Sequence, residues 1–245
     1  MKVDKATIDK IEALAMQNRT VEVDGQVFSE HSLQPVYFTP CAERLIVHSL
    51  LGFCTYINNG FDGLSKDDVM VIVPSTNRAK LVSKLFGKDK SRETFIAAEL
   101  CEVEEFPFGK FMTQEEFAIK FRSLFVPSDK NDTNYVLSFV SKLHGGTAIT
   151  TEDDGITQQV GVSRGVSGKM TEKATLKPIV KLAPYRTFRE IEQPESEFLL
   201  RMRLDSDNIP LVALFEADGG AWQITAMNRI AEYIAKACPD VKIIA

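Results

Sequence analysis

The spacing of apolar residues changes once along this chain, and that change limits what it can fold into. Before Gly145-Gly146 apolar side chains recur every three or four residues, over Phe117, Phe121, Leu124 and Phe125 and again over Val136, Leu137, Val140 and Leu143. Beyond it they alternate with polar residues, as in Ile156, Val160 and Val162, in Phe198, Leu200, Met202 and Leu204, and in Leu211, Ala213 and Phe215. The first spacing lines one face of a helix and the second one face of a strand. The expected class is α+β, with a helix-rich N-terminal part and a mixed or antiparallel sheet in the C-terminal part, closed by a helix.

Local signals fill in the elements. A modest amphipathic helix is expected over 5–17, then a small hairpin around Asp24-Gly25. Leu45, Ile46, Leu50, Phe53 and Ile57 predict a helix over 42–58, ended by Asn59-Gly60. Val69 to Val73 is continuously apolar and stops at Pro74, the pattern of a strand covered on both faces. A short helix over 76–86 and a strand over 94–100 follow. Thr113 and Glu116 form a capping box, in which each side chain satisfies the other residue's free N–H. The next helix starts near Asp132 and runs to Gly145-Gly146. Asp153-Asp154-Gly155, Asp205-Ser206-Asp207 and Asp218-Gly219-Gly220 read as turns, because Asp bonds its own backbone and tolerates left-handed conformations. A closing helix over 222–237 and an apolar stretch over 241–244 complete a single domain over 1–245, with 145–146 the place for any subdivision.

A chain of 245 residues with 44% hydrophobic side chains can bury a core without a disulfide or metal. Its net charge of −5 is spread evenly over both halves, which argues against a generally basic coat for nucleic acid. The four cysteines include no Cys-x-x-Cys pair and are expected to be reduced thiols packed as small apolar residues. The N-terminal residues lack the apolar run of a signal peptide, and no stretch approaches the roughly 20 apolar residues of a membrane span. A cytoplasmic protein with no membrane partner is expected.

Chemical motifs are sparse. His31, His48 and His144 have no metal-ligand spacing; no nucleophile elbow, phosphate loop or dinucleotide fingerprint is present, so no cofactor is expected. Gly161, Gly165 and Gly168 follow a strand pattern but open no helix, which reads as a hairpin tip. Asp153, Asp154, Glu216 and Asp218 are weak catalytic candidates: if strand ends bring them together, they can hold Mg²⁺ or Mn²⁺ for hydrolysis of a nucleic acid or nucleotide. Turn chemistry accounts for the same residues more simply.

Local basicity is the better lead. Residues 78–92 hold Arg78, Lys80, Lys84, Lys88, Lys90 and Arg92 against Asp89 alone, a local net of +5. Residues 164–181 hold Arg164, Lys169, Lys173, Lys177 and Lys181 against Glu172, a net of +4. Such patches suit the phosphates of a nucleic acid or nucleotide, although solvated loops look the same. Tyr185, Arg186, Phe188 and Arg189 combine arginine with aromatic rings, the composition of a subunit contact.

Asp153-Asp154-Gly155-Ile156-Thr157-Gln158, Pro184-Tyr185-Arg186-Thr187-Phe188, Gln193-Pro194-x-Ser196-x-Phe198 and Glu216-Ala217-Asp218-Gly219-Gly220-x-Trp222 together resemble the YfdQ-like family of phage and prophage proteins. The likeness extends over most of the chain beyond about residue 20. It implies a phage or prophage origin in a bacterial cytoplasm and carries no catalytic residue with it. Three readings stay open: an oligomeric, non-enzymatic binder of a polyanion, a metal-dependent hydrolase, and a structural homo-oligomer.

Overall fold

Asp4 starts the first helix by accepting the Thr7 backbone N–H at 2.8 Å, and α1 runs over Lys5–Gln17. The computed structural model describes residues 4–17, 20–23, 26–29, 42–87, 90–102, 104–143, 148–153, 158–163, 172–207 and 209–245. These group into two compact units, Met1–Ala42 and Glu43–Ala245. In the first, α1 presents Ile8, Ile11 and Leu14 about half exposed. The expected hairpin forms from β1 (Thr20–Val23) and β2 (Gln26–Ser29), paired antiparallel.

The second unit begins with β3 (Leu45–Val47) and α2 (Leu50–Asn58). The helix expected over 42–58 is therefore shorter. Ser49 caps it by accepting the Gly52 N–H at 3.0 Å, and β-branched Ile46 and Val47 pair parallel with a neighbouring strand instead. Next come β4 (Val69–Ser75), β5 (Arg78–Ser83) and β6 (Thr94–Glu99). The helix expected over 76–86 is a strand. Arg78 and Lys80 alternate with buried Ala79 and Leu81, a two-residue period that pairing with β4 and β6 on either side selects over helix propensity. In β4, Val69, Val71 and Val73 are buried while Met70 and Ile72 are partly covered, so this strand has one fully dry face, not two.

The chain continues through β7 (Met112–Thr113), α3 (Gln114–Leu124) and α4 (Thr133–Ser141). Thr113 caps α3 as expected, accepting the Glu116 N–H at 3.3 Å. Helix α4 stops at Ser141, short of the glycines. Then follow β8 (Ala148–Asp153), β9 (Gln158–Ser163), β10 (Glu172–Thr175), β11 (Ile179–Leu182), β12 (Ser196–Leu204), β13 (Pro210–Glu216), α5 (Trp222–Ala237) and β14 (Lys242–Ile244). In β13 the inward residues are Pro210, Val212 and Leu214, the opposite parity to the Leu211–Phe215 alternation, with Ala213 buried as well.

Two larger sheets carry the architecture. One is mixed, in the order β14-β4-β5-β6-β3, and α2 and α5 pack on it. The other is antiparallel, β11-β12-β13-β7, and α3 and α4 cover it. A third, three-stranded sheet has the order β10-β9-β8. The class is α+β. The expected helix-rich N-terminal part is corrected, since residues 45–99 supply four strands of the mixed sheet.

Each sheet has its own core. Phe117, Phe121 and Leu124 of α3 meet Phe198, Leu200 and Met202 of β12 in the first, with the Phe121 and Phe125 rings stacked 4.4 Å apart. Leu50, Phe53, Val71, Leu81 and Ile230 fill the second, joined by Phe188 from the loop before β12. Phe121→Ala should lower the unfolding free energy by about 3–5 kcal/mol in urea denaturation. Exposed Ile119→Ala on the same helix should change it by less than about 0.5 kcal/mol.

Candidate functional site

The loop between β11 and β12 is held from within by one amide. Gln193, buried, accepts the N–H groups of Arg186 (3.1 Å) and Thr187 (3.3 Å) and donates to the carbonyls of Phe188 (2.8 Å) and Ile191 (3.2 Å). The Thr187 hydroxyl donates to the Thr76 carbonyl in the β4–β5 turn at 2.5 Å. Glu190 accepts the Leu50 N–H at 2.9 Å, at the start of α2. This loop therefore ties the antiparallel sheet to the mixed one.

Arg186 is the charged centre of the loop. Its side chain is 9% exposed, its Nη1 donates to Glu216 Oε1 and its Nη2 to the Ser196 hydroxyl, both at 2.5 Å. The guanidinium carbon lies 3.9 Å from the centre of the Trp222 ring. Burial pulls the guanidinium below its ordinary pKa, while the carboxylates of Glu216, Asp218 and Glu105 act to hold it charged. Nε is buried without a hydrogen-bond partner among the described residues.

Glu216 and Asp218 thus gather around a guanidinium. Asp218 is also a turn residue, as its Asp-Gly-Gly sequence predicts: it accepts the Gly220 N–H at 3.0 Å, and Gly219 and Gly220 both have positive φ. Burial raises the Asp218 carboxyl, but hydrogen bonds from Ser196, Gly220 and Trp222, with Arg186 nearby, hold it below its usual range. Asp205 likewise closes its own turn, accepting from Asp207 and Ile209. The Asp153 side chain and the whole of Asp154 lie outside the described residues, and so does any meeting with Glu216 and Asp218. No group of three or more His, Cys, Asp or Glu residues suited to a metal occurs among the described residues.

The basic run at 78–92 divides. Lys84 pairs with Asp68 at 3.1 Å, and Arg92 donates to the Ser83 carbonyl at 2.9 Å. Lys88 is outside the described residues. Lys80 and Lys90 have no carboxylate partner among the described residues. Arg78 Nε sits 3.3 Å from Glu99 Oε1, and Arg44 Nη2 reaches the same oxygen at 3.8 Å. His48, at the bend before α2 and not inside a helix, bonds the Glu99 carbonyl through Nδ1 at 2.8 Å. Two guanidiniums thus share one carboxylate, with Lys80 two residues along the same strand face.

In the second run, Arg164 and Lys169 are outside the described residues, as is the Lys173 side chain. Lys177 is neutralised by Asp132, with both carboxylate oxygens 2.7 Å from Nζ, and the Lys181 N–H donates to the same group. Asp132 is depressed: burial raises it, but these donors outweigh burial. Of the Arg/aromatic set, Phe188 is fully buried and Arg186 nearly so; Arg189 is exposed and stacks on Tyr185, 3.6 Å from its ring centre. Cys54 and Cys238 are buried as small apolar residues, and burial pushes the Cys54 thiol up to about 12. Gly161 lies in β9; Gly165, Gly168, His31 and His144 are outside the described residues.

Where the β4–β5 turn, residues 100–102 and 105–108, the β11–β12 loop and the start of α5 meet, they enclose a cleft of about 490 Å³. Its lining includes Glu102, Glu105, Phe106, Tyr185, Arg186 and Trp222. Arg44 and Glu99 carry no motif in the sequence, and Ser196 and Trp222 appear there only within motifs that assign them no role beside Arg186. Only the Trp222 spacing from Asp218-Gly219-Gly220 hinted at its place. No helix among the described residues is long and apolar enough to cross a membrane. No protein-family model, curated protein or solved structure matches the chain.

Asp132 and Asp218 both have folded pKa values below the ordinary 3.8. Their stabilisation is therefore complete above that value and lost as pH falls through the folded pKa. Asp218→Asn, which keeps an acceptor for the Gly220 N–H, should show a smaller fall in urea midpoint between about pH 5 and pH 3 than the parent.

Proposed function

We propose that this protein binds a phosphate-bearing polyanion, a nucleic acid or nucleotide, on the cationic face of its mixed sheet. The supporting observation is the surplus charge around Glu99. Arg44 and Arg78, 48% and 43% exposed, have one carboxylate between them, and Lys80 adjoins them with none among the described residues. Glu99 orients the guanidiniums without cancelling them. Their planar donor forks match phosphate oxygens, and a partly exposed pair gives up little hydration to accept one. Binding rests on this local excess because the chain as a whole is acidic.

The likeness to YfdQ-like proteins adds a phage or prophage origin to this reading. Self-association belongs to it as well, through Tyr185 and Arg189, since Phe188 is committed to the core. Sedimentation at micromolar concentration should show more than monomer; monomer alone rejects that part.

Fluorescence anisotropy of a labelled single-stranded oligonucleotide and a labelled ATP analogue, across a potassium chloride series, tests the main claim. Affinity should fall with salt, and Arg78→Ala with Lys80→Ala should flatten the slope by about 0.7 per lost phosphate contact on the oligonucleotide. Absent binding, or affinity flat with salt, rejects it.

A further inference from the structure

Helices α2 and α5 bury one face of the mixed sheet, the face of Val71, Leu81 and Ala98. Strand register defines what stands on the other. One row there crosses all five strands. Ile244 of β14 is opposite Ile72 of β4, Ile72 opposite Lys80 of β5, Lys80 opposite Ala97 of β6, and Ala97 opposite Ile46 of β3. The row to one side holds Lys242, Met70 and Val82, and the row to the other holds Arg78 and Glu99. Arg44, two residues before Ile46, extends to Glu99.

The cations of this face are spread over its whole width. Lys242 is on the edge strand β14, Lys80 and Arg78 are two strands further in, and Arg44 enters at the opposite edge strand, β3. Four strand spacings, about 19 Å, separate the two edges. Glu99 is the only carboxylate among the strand residues of the face, and Asp68 at its border is paired with Lys84. The phosphates of one nucleotide are consecutive, so they meet one of these places. A chain of phosphates meets them all.

A second, separate observation is that the positions between the cations are apolar. Ile46 and Ile244 are about half exposed, and Met70 and Ile72 are partly so, whereas a sheet face turned to water is ordinarily polar. Duplex DNA meets a surface with sugars and phosphates and keeps its bases inside, which would leave these side chains against charge. A single strand lays its bases on them while its phosphates reach the cations. A 2′-hydroxyl set on the same side chains would lose water without gaining a partner, which favours deoxyribose.

We infer that single-stranded DNA lies across the five strands of this face, its phosphates at Lys242, Lys80 and Arg44 and its bases on Ile244, Ile72 and Ile46. The inference rests on the reading of this face as phosphate-binding and narrows it to a polymer rather than a nucleotide, and to one strand rather than two.

Fluorescence anisotropy with the full-length protein compares a labelled deoxyuridine dodecamer with the deoxyuridine dimer, a labelled ATP analogue, the uridine dodecamer and duplex DNA of the same length. The deoxyuridine dodecamer should bind roughly tenfold or more tightly than the dimer and the ATP analogue, and more tightly than the uridine dodecamer and the duplex. Lys242→Ala, at an exposed position, should lower the salt slope of the dodecamer by about 0.7 and leave the ATP analogue unaffected. Ile46→Gln with Ile244→Gln removes apolar surface but no charge, and should weaken the dodecamer about tenfold at an unchanged salt slope. If none of the probes binds, the phosphate-binding reading and this inference fall together. If binding is salt-dependent but the dimer, the ATP analogue, the uridine dodecamer or the duplex equals the deoxyuridine dodecamer, the phosphate-binding reading stands and this inference is overturned. Parent-like binding of the dodecamer by both variants overturns it as well.

Discussion

Gln193 is buried, and both ends of its amide are bonded to the backbone around Phe188. A loop that crosses between two cores must satisfy its peptide groups without water, and this side chain does so for four of them. With the loop closed, Phe188 enters the core of the mixed sheet while Phe198, ten residues on, enters that of the antiparallel sheet. Thr187 and Glu190 then bond to the β4–β5 turn and to the start of α2. The position of Arg186, and with it the cleft, follows from that closure.

The charges follow a common rule: where the fold buries a charged group, it surrounds that group with partners. Arg186 has a carboxylate, a hydroxyl and an aromatic ring; Asp132 has a lysine and a backbone N–H. A desolvated ion is tolerable only with such partners. The groups left with surplus charge, Lys80 beside the Glu99 pair and Glu102 at the cleft, are at the surface, where water carries the cost. Cationic face and acidic cleft also adjoin in the chain, since the Leu100 N–H donates to the Asn77 carbonyl at 2.9 Å, one residue beyond Glu99 and one before Arg78.

Much of the fold is legible in the residues. The caps at Thr113 and in the Asp218 turn, the Phe117–Phe121–Leu124 stripe, the β12 alternation and the closing helix all form where local chemistry places them. The errors cluster at residues 42–49 and 76–86. Leu45 and Ile46 fit a helical spacing with Leu50, yet pair as a strand; Ala79 and Leu81 between basic residues suit a helix, yet sit between two strands. For β3 the deciding partner is β6, far along the chain, and no local window contains it; for β5 it is the hairpin with β4 just before it and the pairing with β6 after it, which a helical reading of 76–86 passes over. The site is less legible than the fold. Tyr185 and Arg186 stand out by composition, but nothing marks Arg44 as a partner of Arg78, or Ser196 and Trp222 as neighbours of Arg186.

By itself, the sequence determined the α+β class, most element types, the turn roles of Asp205 and Asp218 and the segments rich in positive charge. These depend on contacts within a few residues, where periodicity, caps and turn preferences act. Tertiary structure alone decided which charges are neutralised and which remain. Arg78 is joined by Arg44 at Glu99, Lys177 is cancelled by Asp132, and Arg186 is drawn inside between Glu216 and Trp222. The reason is that electrostatic and stacking energies depend on distance in space, which this chain sets by folding residues tens to more than a hundred positions apart against one another.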